Sequence, residues 1–316
     1  MEPQTEAVAP PSTKTIRLVF FNERGLRAGW RLAIYSGTLQ ILLFLFSTVF
    51  SFLSRALRGP QGRALADSPL WMTVGNLAYF IPAVFAAWIM SRIERRKAGV
   101  YGLPLTKSAL SRFAVGYAAW GFLPLTLVLL TMRGLGVFYF GSLSVRGSEA
   151  LYWGAAWGIM FLSVGLLEEY LFRGYALYTL ADGIGFWPAA IILAVAFAAV
   201  HMSNGGENRV GIAGVFLFAL FAAATLRRTG NLWLAVGAHA GWDWGQSFFY
   251  GVSDSGFQPS GQLLNPHFQG PGWLSGGSVG PEGSIVTLIF WALMTAGFLL
   301  FYRASPDSPE KNRQTA

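Results

Sequence analysis

Eight apolar runs separated by short polar stretches set the rhythm of the chain: residues 30–53, 70–90, 113–132, 150–181, 186–202, 210–226, 232–250 and 285–302. A bilayer-crossing helix needs about 20 mainly apolar residues, so runs of this length predict an all-α, polytopic membrane protein with about eight transmembrane helices in one bundle. On this reading 1–28 is a polar N-terminal tail, 29–303 the bundle and 304–316 a C-terminal tail. No short apolar segment with a small-residue cleavage site follows the first residues, and no removable signal peptide is expected. The segment 252–283 is rich in Gly, Pro and Ser and has no Lys or Arg. Its composition suits a structured cap and a flexible lid equally. No inverted repeat of the transporter kind is visible.

Composition sharpens the class. Only 12% of the 316 residues are charged and 53% are hydrophobic, with a mean hydropathy of +0.46, whereas a soluble domain carries about 25% charged residues. Cysteine is absent, which excludes disulfides, thiolate nucleophiles and cysteine-ligated metals. The net charge of +8 does not point to nucleic acid, because the basic residues sit in short segments beside apolar runs. With both termini in the cytoplasm, sixteen of the 23 lysines and arginines fall on the inner side, six on the outer side, and Arg173 within a span. The positive-inside rule selects that orientation and places 252–283 outside. Arg55, Arg58 and Arg63 run against the trend.

Polar residues interrupt the apolar runs at three places. In the fourth run, Leu166-Leu-Glu-Glu-Tyr-Leu-Phe-Arg-Gly174 puts two carboxylates and an arginine where each charge opposes insertion by roughly 2.5–3.5 kcal/mol. Glu169 and Arg173 are four apart and share a helix face, while Glu168 points about 100° away. The fifth run ends in Phe197-Ala-Ala-Val-His201, and the seventh holds His239-Ala-Gly-Trp-Asp243. Alone, His201 reads as a helix-end or packing histidine, the carboxylates and Arg173 read as a buried structural network, and Gly154-Ala-Ala-Trp-Gly158 as a packing motif. At 1.5 Å per residue, and with the fourth helix running to about 181, Glu168 lies about 20 Å from its inner end, His201 about 22 Å and His239 and Asp243 about 10–17 Å. Four ionisable groups at a common depth predict one shared cavity.

In that order, Glu168-Glu169-x-x-x-Arg173, Phe197-x-x-x-His201 and His239-x-x-x-Asp243 resemble the motifs of the CAAX-protease and bacteriocin-processing (CPBP, or Abi) intramembrane protease family, which includes the type II CAAX prenyl endopeptidases. The resemblance covers about 148–250. It implies a helical bundle enclosing a peptidase site open to the cytosol, in a multi-pass protein of, by expectation, the bacterial cytoplasmic membrane. Its partners would be the lipid bilayer and a prenylated or membrane-associated peptide or protein, with no nucleic acid. By the same resemblance Glu168 activates water, Glu169 and Arg173 form an ion pair, and His201 and His239 are catalytic. Asp243 stands where many members have Asn.

Two mechanisms follow. In one, Glu168 and His201 take a proton from water and His239, its ring oriented by Asp243, stabilises the oxyanion. In the other, His201, His239 and Asp243 or Glu168 hold Zn2+ or another divalent metal. The His-Glu-x-x-His zinc motif is missing. From another class, the same buried groups would serve a transporter or proton-coupled channel; a non-catalytic scaffold is the third reading. Phe197 is expected to position the His201 ring, and His267 to lie in the outer loop away from the site.

Overall fold

The fold is that of a computed structural model describing residues 18–23, 25–58, 68–97 and 99–305. Most of both predicted tails, together with Arg63, lies outside the described residues. Every apolar run is helical. The chain is a multi-pass integral membrane protein: among the described residues, five helices are long and apolar enough to cross a bilayer, and two apolar helices are shorter. The long ones are α1 (Ala28–Arg58), α2 (Pro69–Ile93), α3 (Lys107–Gly134), α4 with its continuation, and α7 (Arg209–Thr229). The shorter ones are α6 (Phe186–His201) and α9 (Ile285–Phe301). The seventh run forms α8 (Trp233–Trp244), which continues as a π-helical turn, Gly245–Tyr250.

The fourth run departs from expectation. It is not one helix to about 181 but α4 (Gly147–Arg173) and α5 (Tyr175–Ile184), broken at Gly174. A Cβ on Gly174 would lie 2.3 Å from the Tyr170 carbonyl oxygen, so only glycine lets the chain turn there. Apolar periodicity continues across the break, which is why hydropathy alone runs straight through it. Glu168 and Glu169 therefore sit near the end of α4.

A second departure is the presence of strands. β1 (Phe21–Asn22) pairs with β2 (Gly25–Leu26), and β3 (Phe138–Leu143) pairs antiparallel with β4 (Leu264–Phe268). The second ribbon staples segment 252–283 to the end of α3. Further bonds run from Ser144 N to Leu263 O (2.8 Å), Gly256 N to Val279 O (3.2 Å) and Asn208 Nδ2 to Gly283 O (3.3 Å). Between a cap and a lid, the segment is an ordered cap.

Helix α8 lies at the centre, against α3, α4 and α7, and every residue from Leu234 to Asp243 is buried. Reciprocal glycines allow this. A Cβ on Gly237 or Gly241 would come 2.2–2.3 Å from the carbonyls of Phe113 and Tyr117, and one on Gly116 or Gly121 the same distance from those of Leu234 and Ala238. The wide π-helical stretch Gly116–Phe122 of α3 thus seats backbone against backbone. The expected Gly154/Gly158 motif is a packing surface too, against Phe248 and Trp244.

At one end of the bundle the starts of α1, α3 and α8 meet the ends of α2, α7 and α9. Arg31 bridges Glu94 and Asp182, both at 3.0 Å, Arg96 joins both carboxylates, and the Tyr175 hydroxyl donates to Glu94. Arg112 donates to Thr229 O (3.1 Å), and Ser305 N to Arg228 O (2.8 Å). The opposite end carries the cap.

Candidate active site

The predicted residues reach the site from three helices, α4, α6 and α8. Near the end of α4, Glu169 is completely buried and pairs with Arg173 one turn on, Nη1 to Oε1 3.3 Å. The Arg173 guanidinium lies over the Phe197 ring at 4.1 Å, so α4 and α6 share that cation. The same Glu169 Oε1 accepts from His239 Nδ1 at 2.9 Å. A carboxylate acceptor requires the proton on Nδ1, which leaves Nε2 facing the cavity. His201 is held in the same sense, because its Nδ1 lies 2.8 Å from the Phe197 carbonyl, which can only accept. Phe197 thus positions His201 as expected, through its backbone as well as its ring at 4.5 Å.

Both Nε2 atoms converge on one oxygen. Glu168 Oε2 is 3.8 Å from His201 Nε2 and 3.8 Å from His239 Nε2, and has no hydrogen-bond partner. These gaps are too long for direct hydrogen bonds and are of the size a bridging water fills. Asp243 Oδ2 is 3.4 Å from His239 Nε2. Here an expectation is corrected: the group that orients the His239 ring is Glu169, on the far nitrogen, while Asp243 faces the nitrogen that looks into the cavity. All six predicted residues meet, although the fourth helix ends early. The adjacency of Gly165 to Val236 O explains how α4 and α8 come close enough, since a Cβ there would sit at 3.0 Å.

The cavity is about 440 Å³, and no Lys or Arg is among its lining residues. Besides Glu168, His201, His239 and Asp243 it is lined by Asp254 and Glu282 from the cap, which sequence reasoning missed. Glu282 accepts from Trp242 Nε1 (3.0 Å), Gln246 Nε2 (3.1 Å) and both the backbone N (3.0 Å) and hydroxyl (2.9 Å) of Ser255. Asp254 accepts from Gln246 Nε2 (3.3 Å) and Ser247 Oγ (3.2 Å). Burial, with Glu282 alongside, pushes the Asp254 carboxyl well above the usual carboxylate range. A signal did exist: these are the two acidic residues of an otherwise uncharged loop. His267 is outside the site, stacked on Tyr139 with ring centroids 4.6 Å apart.

Among the described residues, the group of three carboxylates or imidazoles whose ligand atoms all lie within 4.8 Å of one another is Asp243, Asp254 and Glu282, not a set with either histidine. Two imidazoles whose Nδ1 protons are tied to acceptors are nevertheless chemically suited to zinc.

Residues 150–245 match the family model described as type II CAAX prenyl endopeptidase Rce1-like. The match covers residues 150–245 of the 316 and supports a CAAX-protease family assignment. The matched segment runs from α4 through α8 and contains Glu168, Glu169, Arg173, His201, His239 and Asp243, while Asp254 and Glu282 fall beyond it. At family level that match supports a CAAX-type intramembrane protease. No curated protein and no solved structure matches it.

Proposed function

We propose that the protein is an endopeptidase in which Glu168 activates a water held between it and the two histidines, within a bundle that crosses the membrane eight times. The observation that carries this reading is the convergence of His201 Nε2 and His239 Nε2, each 3.8 Å from the unpartnered Glu168 Oε2. Glu168, with His201, takes the proton as water attacks the peptide carbonyl. His239, when protonated at Nε2, donates to the oxyanion, with the Glu169 carboxylate at Nδ1 balancing its charge. Glu169 and Arg173 fix the ring and do not touch substrate. Glu168 then returns that proton to the amide nitrogen as the C–N bond breaks, giving the free carboxylate and amine, and Asp243, 3.4 Å from His239 Nε2, accepts from that nitrogen when it is protonated and before the oxyanion forms.

If a divalent metal is resident, His201, His239 and Glu168 are the donors that would hold it, and it would supply a bound water of lowered pKa. The residues fit that role by type, and the water route needs none of it. The substrate class in this reading is a membrane-associated peptide, prenylated or not.

The test is cleavage of a peptide library by purified protein and by Glu168→Gln, with metal content measured on both. Folded but inactive Glu168→Gln supports the reading; full activity of that variant overturns it. Loss of activity on chelation, restored by zinc, would select the metal-assisted form.

A further inference from the structure

A second cavity stands at the basic end of the bundle. It measures about 680 Å³ and is bounded by residues around the start of α1, by Arg96 just past α2 and by the last turn of α5. It shares no lining residue with the catalytic cavity. Three arginines, Arg27, Arg31 and Arg96, line it against one carboxylate, Asp182. Arg31 spends both Nη groups on Glu94 and Asp182, and its Nε has no acceptor. Arg96 gives Nε to Glu94 and Nη2 to Asp182 and keeps Nη1. Arg27 is exposed and, among the described residues, in no ion pair; its Nε donates to Leu18 O at 2.9 Å, which leaves both Nη groups for a ligand.

The surroundings of Arg27 are apolar. Residues 18–23 fold back over the start of α1, where Trp30 Nε1 donates to Val19 O at 3.1 Å and the indole meets the Phe20 ring at 4.7 Å. That turn exposes Leu18, Val19, Phe20 and Phe21. Along α1, at 100° per residue, Trp30, Ile34, Ile41 and Leu45 fall within about 60° of one another, and all four are exposed. Of the five long spans, α1 is the least buried inside the protein. A free guanidinium at the head of an outward apolar stripe that begins at a tryptophan is what a phospholipid meets at the membrane interface, with its phosphate at the cation and its acyl chain along the helix.

We infer that this pocket binds the phosphodiester of an anionic phospholipid, with Arg27 and Arg96 as its cations and an acyl chain laid along Trp30, Ile34 and Ile41. Three guanidiniums against one lining carboxylate select net negative charge, and the apolar stripe selects a lipid over a soluble anion.

The test titrates purified, delipidated protein in neutral detergent with phosphatidylglycerol and counts bound lipid by native mass spectrometry. Wild type should hold one copy more tightly than any further copy, and more tightly than it holds phosphatidylcholine. Arg27→Gln should weaken that first copy about fivefold, the worth of one basic residue at an anionic surface. Arg55→Gln takes the same charge from an exposed position near the other end of α1 and should change nothing. An equal loss in both variants, or none in either, overturns the inference. A Cβ on Gly29 meets nothing within 4 Å, so Gly29→Leu obstructs the pocket without altering charge or packing and should weaken the first copy at least as much. Undiminished binding by Gly29→Leu overturns the inference, even if Arg27→Gln fails to fold. Inorganic phosphate, compared with chloride at equal ionic strength, should not displace the lipid; displacement would make the pocket a site for a free anion and overturn the lipid claim.

Discussion

The two ends of this bundle treat charge in opposite ways. At the basic end the ion pairs are many, shared and partly wet: Arg31, Arg96, Glu94 and Asp182 form one network whose Arg96 and Asp182 side chains are 37% and 41% exposed. At the cavity itself the charges are few, largely withdrawn from water and tied into a chain, Arg173 to Glu169 to His239, with Glu168 left over. A wet network tolerates loss of a member because water and neighbours substitute; a dry one does not. The same contrast separates what anchors the protein in the membrane from what, on the proposed reading, performs chemistry. Each basic residue near an anionic cytoplasmic leaflet contributes about 1 kcal/mol to orientation whatever its exact partner, whereas the histidines need specific acceptors on specific nitrogens.

The comparison can be broken most directly at Glu168. Glu168→Gln should lower the cleavage rate by about 10²–10⁴-fold, the usual worth of a positioned general base, with thermal unfolding unchanged. A matching loss of stability would make it a structural carboxylate like its neighbour. Arg173→Met should instead cost stability, leaving the buried Glu169 with His239 but without its cation, at a cost of about 3–5 kcal/mol, read as a fall in melting temperature and yield. Adding Glu169→Gln to Arg173→Met should recover much of the stability but not the activity, because His239 Nδ1 then loses its anionic acceptor.

Asp254→Asn gives an intermediate effect with a defined sign. The carboxyl is raised above its unfolded value, so its favourable contribution is present at low pH and disappears as pH rises through the folded value. The variant should therefore gain stability relative to wild type as pH increases, measured by unfolding between pH 5 and pH 8. An equal effect at both ends of that range would show that Asp254 is not held in its neutral form. The smallest effect is expected at the basic end, where Asp182→Asn removes exposed pairs worth about 0–1 kcal/mol and should leave cleavage unaltered. A large loss there would erase the contrast between the ends.

Much of this was legible in the chain itself. The runs that became helices, the i,i+4 pair of Glu169 and Arg173, the spare Glu168 and the meeting of His201, His239 and Asp243 all follow from periodicity and from the rarity of charge in apolar segments, which are local properties. The break at Gly174 was not legible, since hydropathy continues through it and only the Tyr170 carbonyl makes the glycine necessary. Nor was Glu169's hold on His239, because residues 70 positions apart carry no mark of which ring nitrogen faces which carboxylate.

The sequence alone determined that this is a helical membrane protein with a cluster of ionisable groups inside it, because burying charge in an apolar helix is costly enough to demand a reason. Tertiary structure decided which carboxylate holds the His239 ring and which keeps an oxygen without a hydrogen-bond partner. It also decided that the cap closes over the cluster, bringing Asp254 and Glu282 to the end away from the basic loops. Those outcomes depend on close approach between distant backbones, through glycines at 116, 121, 237 and 241, and packing at that range is set by three-dimensional fit rather than by any period along the chain.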